Sequence, residues 1–139
     1  MACHFFWSRG ALLIALFLAR CAALHVVVAG ATGKVGREVV RILARQSVSH
    51  VALTRDPPRA KRVLGVRTPC KCVDLDVADD GRLEGALAGD ARFRLFVACE
   101  DGPARAAREE RLLAAAAATG RCEHVVKLSA RSPRLAPRA

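Results

Sequence analysis

Short runs of apolar residues alternate along the chain with segments in which apolar residues recur at helical spacing. The runs predict five strands, over residues 24–29, 48–53, 70–75, 94–99 and 124–128. The segments between them predict four helices, over about residues 34–45, 57–64, 79 or 80 to 87, and 103–119. A regular alternation of strands and helices is typical of a parallel sheet with right-handed crossovers. The pattern therefore predicts a doubly wound α/β fold with strand order 3-2-1-4-5.

The turn between the first strand and the first helix contains three glycines in a Gly-x-x-Gly-x-x-Gly pattern. Such glycines allow a sharp turn, a close approach of backbone N–H groups to a pyrophosphate, and close packing of helix on strand. The start of the following helix adds unpaired N–H groups and partial positive charge. This context predicts a Rossmann-like domain that binds a dinucleotide through Gly30, Thr32, Gly33, Lys34, Val35 and Gly36. A tight turn without a ligand is the alternative, although a simple turn needs only one glycine.

Arg55 stands 19 positions after Gly36, at the predicted end of the second strand. Folds that prefer NAD place an acidic residue there, which binds the ribose 2′-hydroxyl. A guanidinium would instead bind a 2′-phosphate through two hydrogen bonds, so Arg55 favours NADP(H) over NAD(H). The alternative for Arg55 is a solvated surface arginine.

Four segments carry a resemblance to a known family. They are VVVAGATGKVG at residues 26–36, LTRDP at 53–57, VDL at 73–75 and VVKLSA at 125–130. Over residues 24–130 the chain resembles the NmrA-like atypical short-chain dehydrogenases, which are Rossmann proteins that usually bind NADP(H).

The resemblance implies further site residues and a function. Asp74 and Leu75 would border the adenine, and the small Ala98 would let the ribose pass the end of the fourth strand. From residue type alone, a capping or turn role for Asp74 is an equal alternative. Relatives are considerably longer, so the resemblance implies the N-terminal part of a truncated oxidoreductase. A non-enzymatic NADP(H)-sensing regulator that binds a protein partner is the second hypothesis.

The sequence does not assign catalytic residues. Short-chain dehydrogenases generally use a tyrosine as proton donor, with a lysine that lowers its pKa, and this sequence contains no tyrosine. Ser129 and Lys127 fall at the end of the fifth strand. Without a phenol or a base of matched pKa they do not form a proton relay.

The two ends of the chain differ from the middle. Residues 1–23 contain a nine-residue apolar run followed by small residues, which predicts a signal or targeting leader for the secretory route or a plastid. A cytoplasmic protein with an N-terminal extension is the alternative. Residues 131–139 are rich in Arg and Pro and predict a disordered basic tail. The Rossmann domain is therefore expected over residues 24–130.

The formal net charge of +10 fits an anionic cofactor. The basic residues are scattered among 13 acids without interleaved aromatics, so no specific nucleic-acid partner is expected. The six cysteines and four histidines lack metal-ligand spacing, and free thiols are favoured over a redox pair at Cys70 and Cys72. An uncovered edge at the fifth strand would favour a homo-oligomer.

Overall fold

A computed structural model describes residues 24–77, 80–89, 91–100 and 102–128. The predicted leader, the predicted basic tail, the candidate helix cap at Asp79 and the candidate Ser129 lie outside this part. Within the described ranges, none of the helices is both long and apolar enough to cross a bilayer.

The described residues form five strands and four helices in strict alternation. They are β1 (His25–Ala29), α1 (Lys34–Arg45), β2 (Ser49–Thr54), α2 (Pro57–Leu64), β3 (Cys70–Cys72), α3 (Asp80–Leu87), β4 (Phe93–Val97), α4 (Arg105–Ala118) and β5 (Cys122–Lys127). All pairings are parallel and the strand order is β3-β2-β1-β4-β5. The predicted Rossmann-like sheet is thereby confirmed.

The central strand β1 is covered on both faces, which explains its uninterrupted apolar run. Val27 packs in one core with residues of α3 and α4, including Leu83 and Leu112. Val28 packs in a second core on the opposite face, together with Val40 of α1. In register, His25 lies opposite Ser49 of β2 on one side and opposite Phe93 of β4 on the other.

Strand β3 ends three residues earlier than the sequence predicts. The Val73 N–H still donates to the Thr54 carbonyl at 2.9 Å, but the chain then turns away from the sheet. The carboxylate of Asp74 stabilises this turn by accepting from the Asp76 N–H at 3.0 Å. Short polar side chains favour turns of this kind because they bond the backbone two residues on.

Strand β5 is the least buried strand of the sheet. Val125 and Val126 retain 46% and 55% of their accessible surface. A buried carboxylate compensates by fixing the end of this strand to α4. Glu109 accepts from Arg105 Nε at 2.9 Å and lies 2.5 Å from Lys127 Nζ. Arg105 also donates to the Leu128 carbonyl at 2.6 Å, so groups from both elements meet around one side chain.

The protonation of Glu109 makes this tie sensitive to acid. Burial by itself would raise the pKa of the carboxyl group, but hydrogen bonds from Arg105 and Lys127 outweigh it and hold the pKa below its ordinary value of 4.5. The stabilisation is therefore complete above the unfolded-state pKa and is lost as the pH falls through the lower folded-state pKa.

We expect Glu109→Ala to lower the free energy of unfolding at pH 7 by about 3 kcal/mol, because two cations lose their buried partner. Glu110→Ala, which removes an exposed neighbouring carboxylate, serves as the matched control and should change little. Urea unfolding at pH 7 and pH 4 measures both variants. The free energies of unfolding of the wild type and Glu109→Ala should differ less at pH 4 than at pH 7. An unchanged difference would show that protonation of Glu109 does not control this stabilisation.

Candidate functional site

A cavity of about 600 Å³ lies at the carboxyl edge of the sheet. Its walls come from the glycine turn after β1, the segments after β2, β3 and β4, and the first turns of α1 and α4. The cavity brings together nine of the ten predicted site residues: Gly30, Thr32, Gly33, Lys34, Val35, Gly36, Arg55, Leu75 and Ala98. Their contacts with a cofactor remain predictions.

Asp74 is the predicted site residue that does not line the cavity. Its carboxylate accepts from the Asp76 N–H, and its carbonyl accepts weakly from the Val77 N–H at 3.4 Å. The turn role that the sequence left open for Asp74 is therefore present in the structure, and its adenine contact stays a prediction.

Two of the three glycines are required by the fold itself. Gly30 has φ +75°, and a Cβ there would lie 2.0 Å from the Ala98 carbonyl oxygen. A Cβ on Gly36 would lie 2.2 Å from the Gly30 carbonyl oxygen. Neither site admits a side chain without backbone movement.

Gly33 differs from the other two. Its φ of −71° suits any residue. A Cβ at this position would lie 3.3 Å from its nearest neighbour, the Gly30 carbonyl oxygen, which is tight but not an overlap. The fold gives little reason for glycine here, although the position faces the cavity.

Gly33 is also the residue that precedes α1. The helix begins without a side-chain cap and without an acidic residue in its first turn. The first helical hydrogen bond of this turn runs from the Arg37 N–H to the Gly33 carbonyl at 3.0 Å. The N–H groups of Lys34, Val35 and Gly36 therefore have no partner inside the helix. Such a helix start is suited to bind an anion, for example a phosphate group.

The far end of the cavity is built from side chains after β2. Arg55 is exposed and donates from Nη1 to Asp76 Oδ2 at 3.2 Å. Asp56 does not compete for Arg55, because its Oδ1 accepts from the Arg59 N–H at 2.9 Å and caps α2. Arg59 also lines the cavity, on the same side as Arg55 and Asp56.

Five charged residues of the cavity wall were not predicted from the sequence as site residues: Asp56, Arg59, Asp76, Glu100 and Arg108. Arg59 could have been found, since it lies in the first turn of a helix correctly predicted to begin at Pro57. Asp76 and Arg108 form an ion pair, but they are 32 positions apart. No local pattern links two such distant residues.

The cysteines are free where the structure describes them: Cys70, Cys72, Cys99 and Cys122. Burial raises the pKa of Cys70, Cys99 and Cys122, which favours the protonated thiol over the reactive thiolate. Cys99 also lines the cavity, where a neutral thiol acts as a small apolar group. In the same described ranges, no three potential ligands among His, Cys, Asp and Glu are grouped as a metal site.

We expect Gly30→Ala to destabilise the domain by more than about 2 kcal/mol, because the left-handed φ and the overlap with Ala98 both add cost. Gly33→Ala should cost less than about 1 kcal/mol, since its φ is permitted and its neighbour can shift slightly. Thermal unfolding of the two variants compares them directly. Equal destabilisation would show that Gly33 is a structural glycine like Gly30.

Comparison with protein families gave one match that covers most of the chain. Residues 30–132 match a family described as NAD(P)H-binding. A comparison with curated proteins gave no match.

Solved structures share the fold at low sequence identity. An NADPH-dependent quinone oxidoreductase from Escherichia coli, complexed with NADPH, is 24% identical with a TM-score of 0.58, over 73% of this chain and 35% of its own. A triphenylmethane reductase from Citrobacter sp., complexed with NADP(H), is 20% identical with a TM-score of 0.60, over 75% of this chain and 37% of its own. A short-chain dehydrogenase/reductase superfamily protein from Agrobacterium tumefaciens with bound NAD is 24% identical with a TM-score of 0.58, over 76% of this chain and 32% of its own.

The chain thus spans about a third of the length of each of these three structures. At such identities the likeness shows the fold alone. The family match is stronger evidence, because it covers well over half of the chain and includes the glycine turn. It confirms the dinucleotide-binding domain that the resemblance implied. The chain belongs to the NAD(P)H-binding family.

Proposed function

We propose that this chain binds NADPH in preference to NADH and forms the cofactor-binding part of a reductase. The observation that carries the proposal is the pairing, in one cavity, of an open helix start with guanidinium groups that follow β2. The first suits the pyrophosphate common to both cofactors, and the second suits the 2′-phosphate that only NADPH has.

The pyrophosphate would lie at Gly33 and the first turn of α1. Backbone N–H groups of Lys34, Val35 and Gly36 point along the helix axis and carry the positive end of its dipole. The absence of a side chain on Gly33 lets a phosphate approach them. Lys34 is exposed at the same place and supplies a full positive charge.

The 2′-phosphate would lie between Arg55 and Arg59. Arg55 is mostly exposed, and its pair with Asp76 is a surface pair of small net energy. A phosphate dianion can therefore take over this guanidinium. A charge-assisted contact of this kind is about twice as strong as a neutral hydrogen bond.

A reductase role is supported by chemistry and by similar structures. NADPH supplies a hydride when it is bound, and two of the similar structures are NADPH-dependent or NADP(H)-bound reductases. A third holds NAD, so the fold by itself does not select the cofactor. The selection between NADPH and NADH therefore depends on the side chains of this cavity. The regulator hypothesis has no supporting observation in the comparisons or in the described residues.

We expect Gly33→Val to weaken NADPH binding by at least about tenfold, or 1.4 kcal/mol, because the branched side chain fills the approach to the helix start. Gly85→Val is the matched control. Gly85 lies in α3, and a Cβ there meets nothing within 4 Å. Titration of nicotinamide fluorescence measures binding, with thermal unfolding as a check on folding. Normal NADPH binding by folded Gly33→Val would refute the pyrophosphate site.

Arg55→Ala should weaken NADPH binding about 10- to 100-fold, since the loss of one charge-assisted contact removes roughly 1.5–3 kcal/mol. NADH has no 2′-phosphate, so its affinity should change less than about threefold. Arg41→Ala removes an exposed arginine on α1 that pairs with Glu38 away from the cavity, and controls for net charge. Equal losses for NADPH and NADH would show that Arg55 does not contact the 2′-phosphate.

A further inference from the structure

The carboxylate of Asp76 lies between two arginines from different walls of the cavity. Its Oδ2 accepts from Arg55 at the end of β2, at 3.2 Å. Its Oδ1 accepts from Nε of Arg108 in α4. All three side chains line the cavity. A negative charge therefore stands beside the guanidinium that is the best candidate for the 2′-phosphate.

The backbone around Asp76 is held from two directions. The Asp76 N–H donates to Asp74 Oδ1 at 3.0 Å. Arg111 of α4 donates from Nη1 to the carbonyls on either side, Leu75 at 2.6 Å and Val77 at 3.0 Å. With Arg108 on its side chain as well, this segment is anchored to α4 at three points. Asp76 cannot simply swing away when a ligand enters.

Asp76 also remains charged at neutral pH. The hydrogen bond from Arg108 holds the pKa of its carboxyl group below the usual range, and the charges of Arg108, Arg55 and Arg111 act in the same direction. The other cavity carboxylates are placed differently. Asp56 caps α2, and Glu100 follows β4.

We propose that Asp76 limits the preference of this site for NADPH, by repelling the 2′-phosphate and by accepting a hydrogen bond from the ribose 2′-hydroxyl of NADH. The inference rests on the proposed function. Arg55 leaves Asp76 for the phosphate, while Arg108 keeps the carboxylate in place. The opposed charges of Arg55 and Asp76 then distinguish the two cofactors at the same ribose position.

The size of the effect follows from charge and distance. A phosphate dianion bound by Arg55, whose guanidinium lies 3.2 Å from the Asp76 carboxylate, would be repelled by that carboxylate enough to lower affinity about three- to tenfold in this water-exposed site. NADH gains from the same carboxylate, as it does from the acidic residue of NAD-binding folds. The first effect weakens NADPH binding and the second strengthens NADH binding. Both therefore lower the ratio of NADPH affinity to NADH affinity.

Asp76→Asn tests this, because asparagine keeps the size of the side chain and an oxygen for Arg108. We expect NADPH to bind about three- to tenfold more tightly at low ionic strength. NADH should bind more weakly, because its ribose 2′-hydroxyl loses the carboxylate acceptor. Glu100→Gln removes a negative charge from the same cavity at a residue that does not pair with Arg55, and its ratio of affinities should change less than about twofold.

Fluorescence titration with both cofactors separates two kinds of failure. If the wild-type chain binds neither NADPH nor NADH, the proposed function is wrong. If the wild type binds NADPH but Asp76→Asn leaves the ratio unchanged, or Glu100→Gln shifts it equally, the inference is overturned. Asp76→Ser, which also removes the charge, gives the same test should Asp76→Asn fail to fold.

Discussion

At Gly30 the chain leaves β1 and passes so close to the end of β4 that a single added carbon would lie 2.0 Å from the Ala98 carbonyl oxygen. This contact decides where α1 begins. The helix starts beside the carboxyl end of β1 and packs at Gly36 against the same turn. A side chain at either position would push the helix outward. The distance between the helix start and the sheet, and thus the depth of the cavity, depends on these two missing Cβ atoms.

The two ends of the cavity use different physical means. At the helix start the candidate binding groups are backbone N–H groups, and their positions are fixed by the fold. After β2 and β3 they are arginine and aspartate side chains in partly exposed ion pairs. Such pairs are easily altered by a single substitution, since each contributes little to stability. Under the proposed function, the architecture would therefore set the affinity for dinucleotides, and a few replaceable side chains would select between NADPH and NADH.

The sheet could be predicted because its central strands are buried on both faces and appear in the sequence as continuous apolar runs. Only three residues of β3 pair with β2, however, and the apolar positions that follow belong to a turn at Asp74. The glycine turn could be predicted as well, because an ordinary turn requires one glycine and not three at fixed spacing. The ion pair of Asp76 and Arg108 could not be predicted from the sequence, since only the folded structure brings these two residues together. Patterns along a sequence predict what the backbone does more readily than which distant charges meet.

The position of β1 in the sheet has a consequence for how the chain must assemble. This strand is deeply buried, yet one of its two neighbours, β4, begins only at Phe93. Parallel neighbours cannot be joined by a hairpin. Each pairing therefore costs the entropy of closing a long loop before its hydrogen bonds and contacts form. As the chain leaves the ribosome, β1 can pair with β2 early but keeps one open edge until β4 has emerged. Of the five strands, β1 is thus the one that remains longest without both of its neighbouring strands during synthesis.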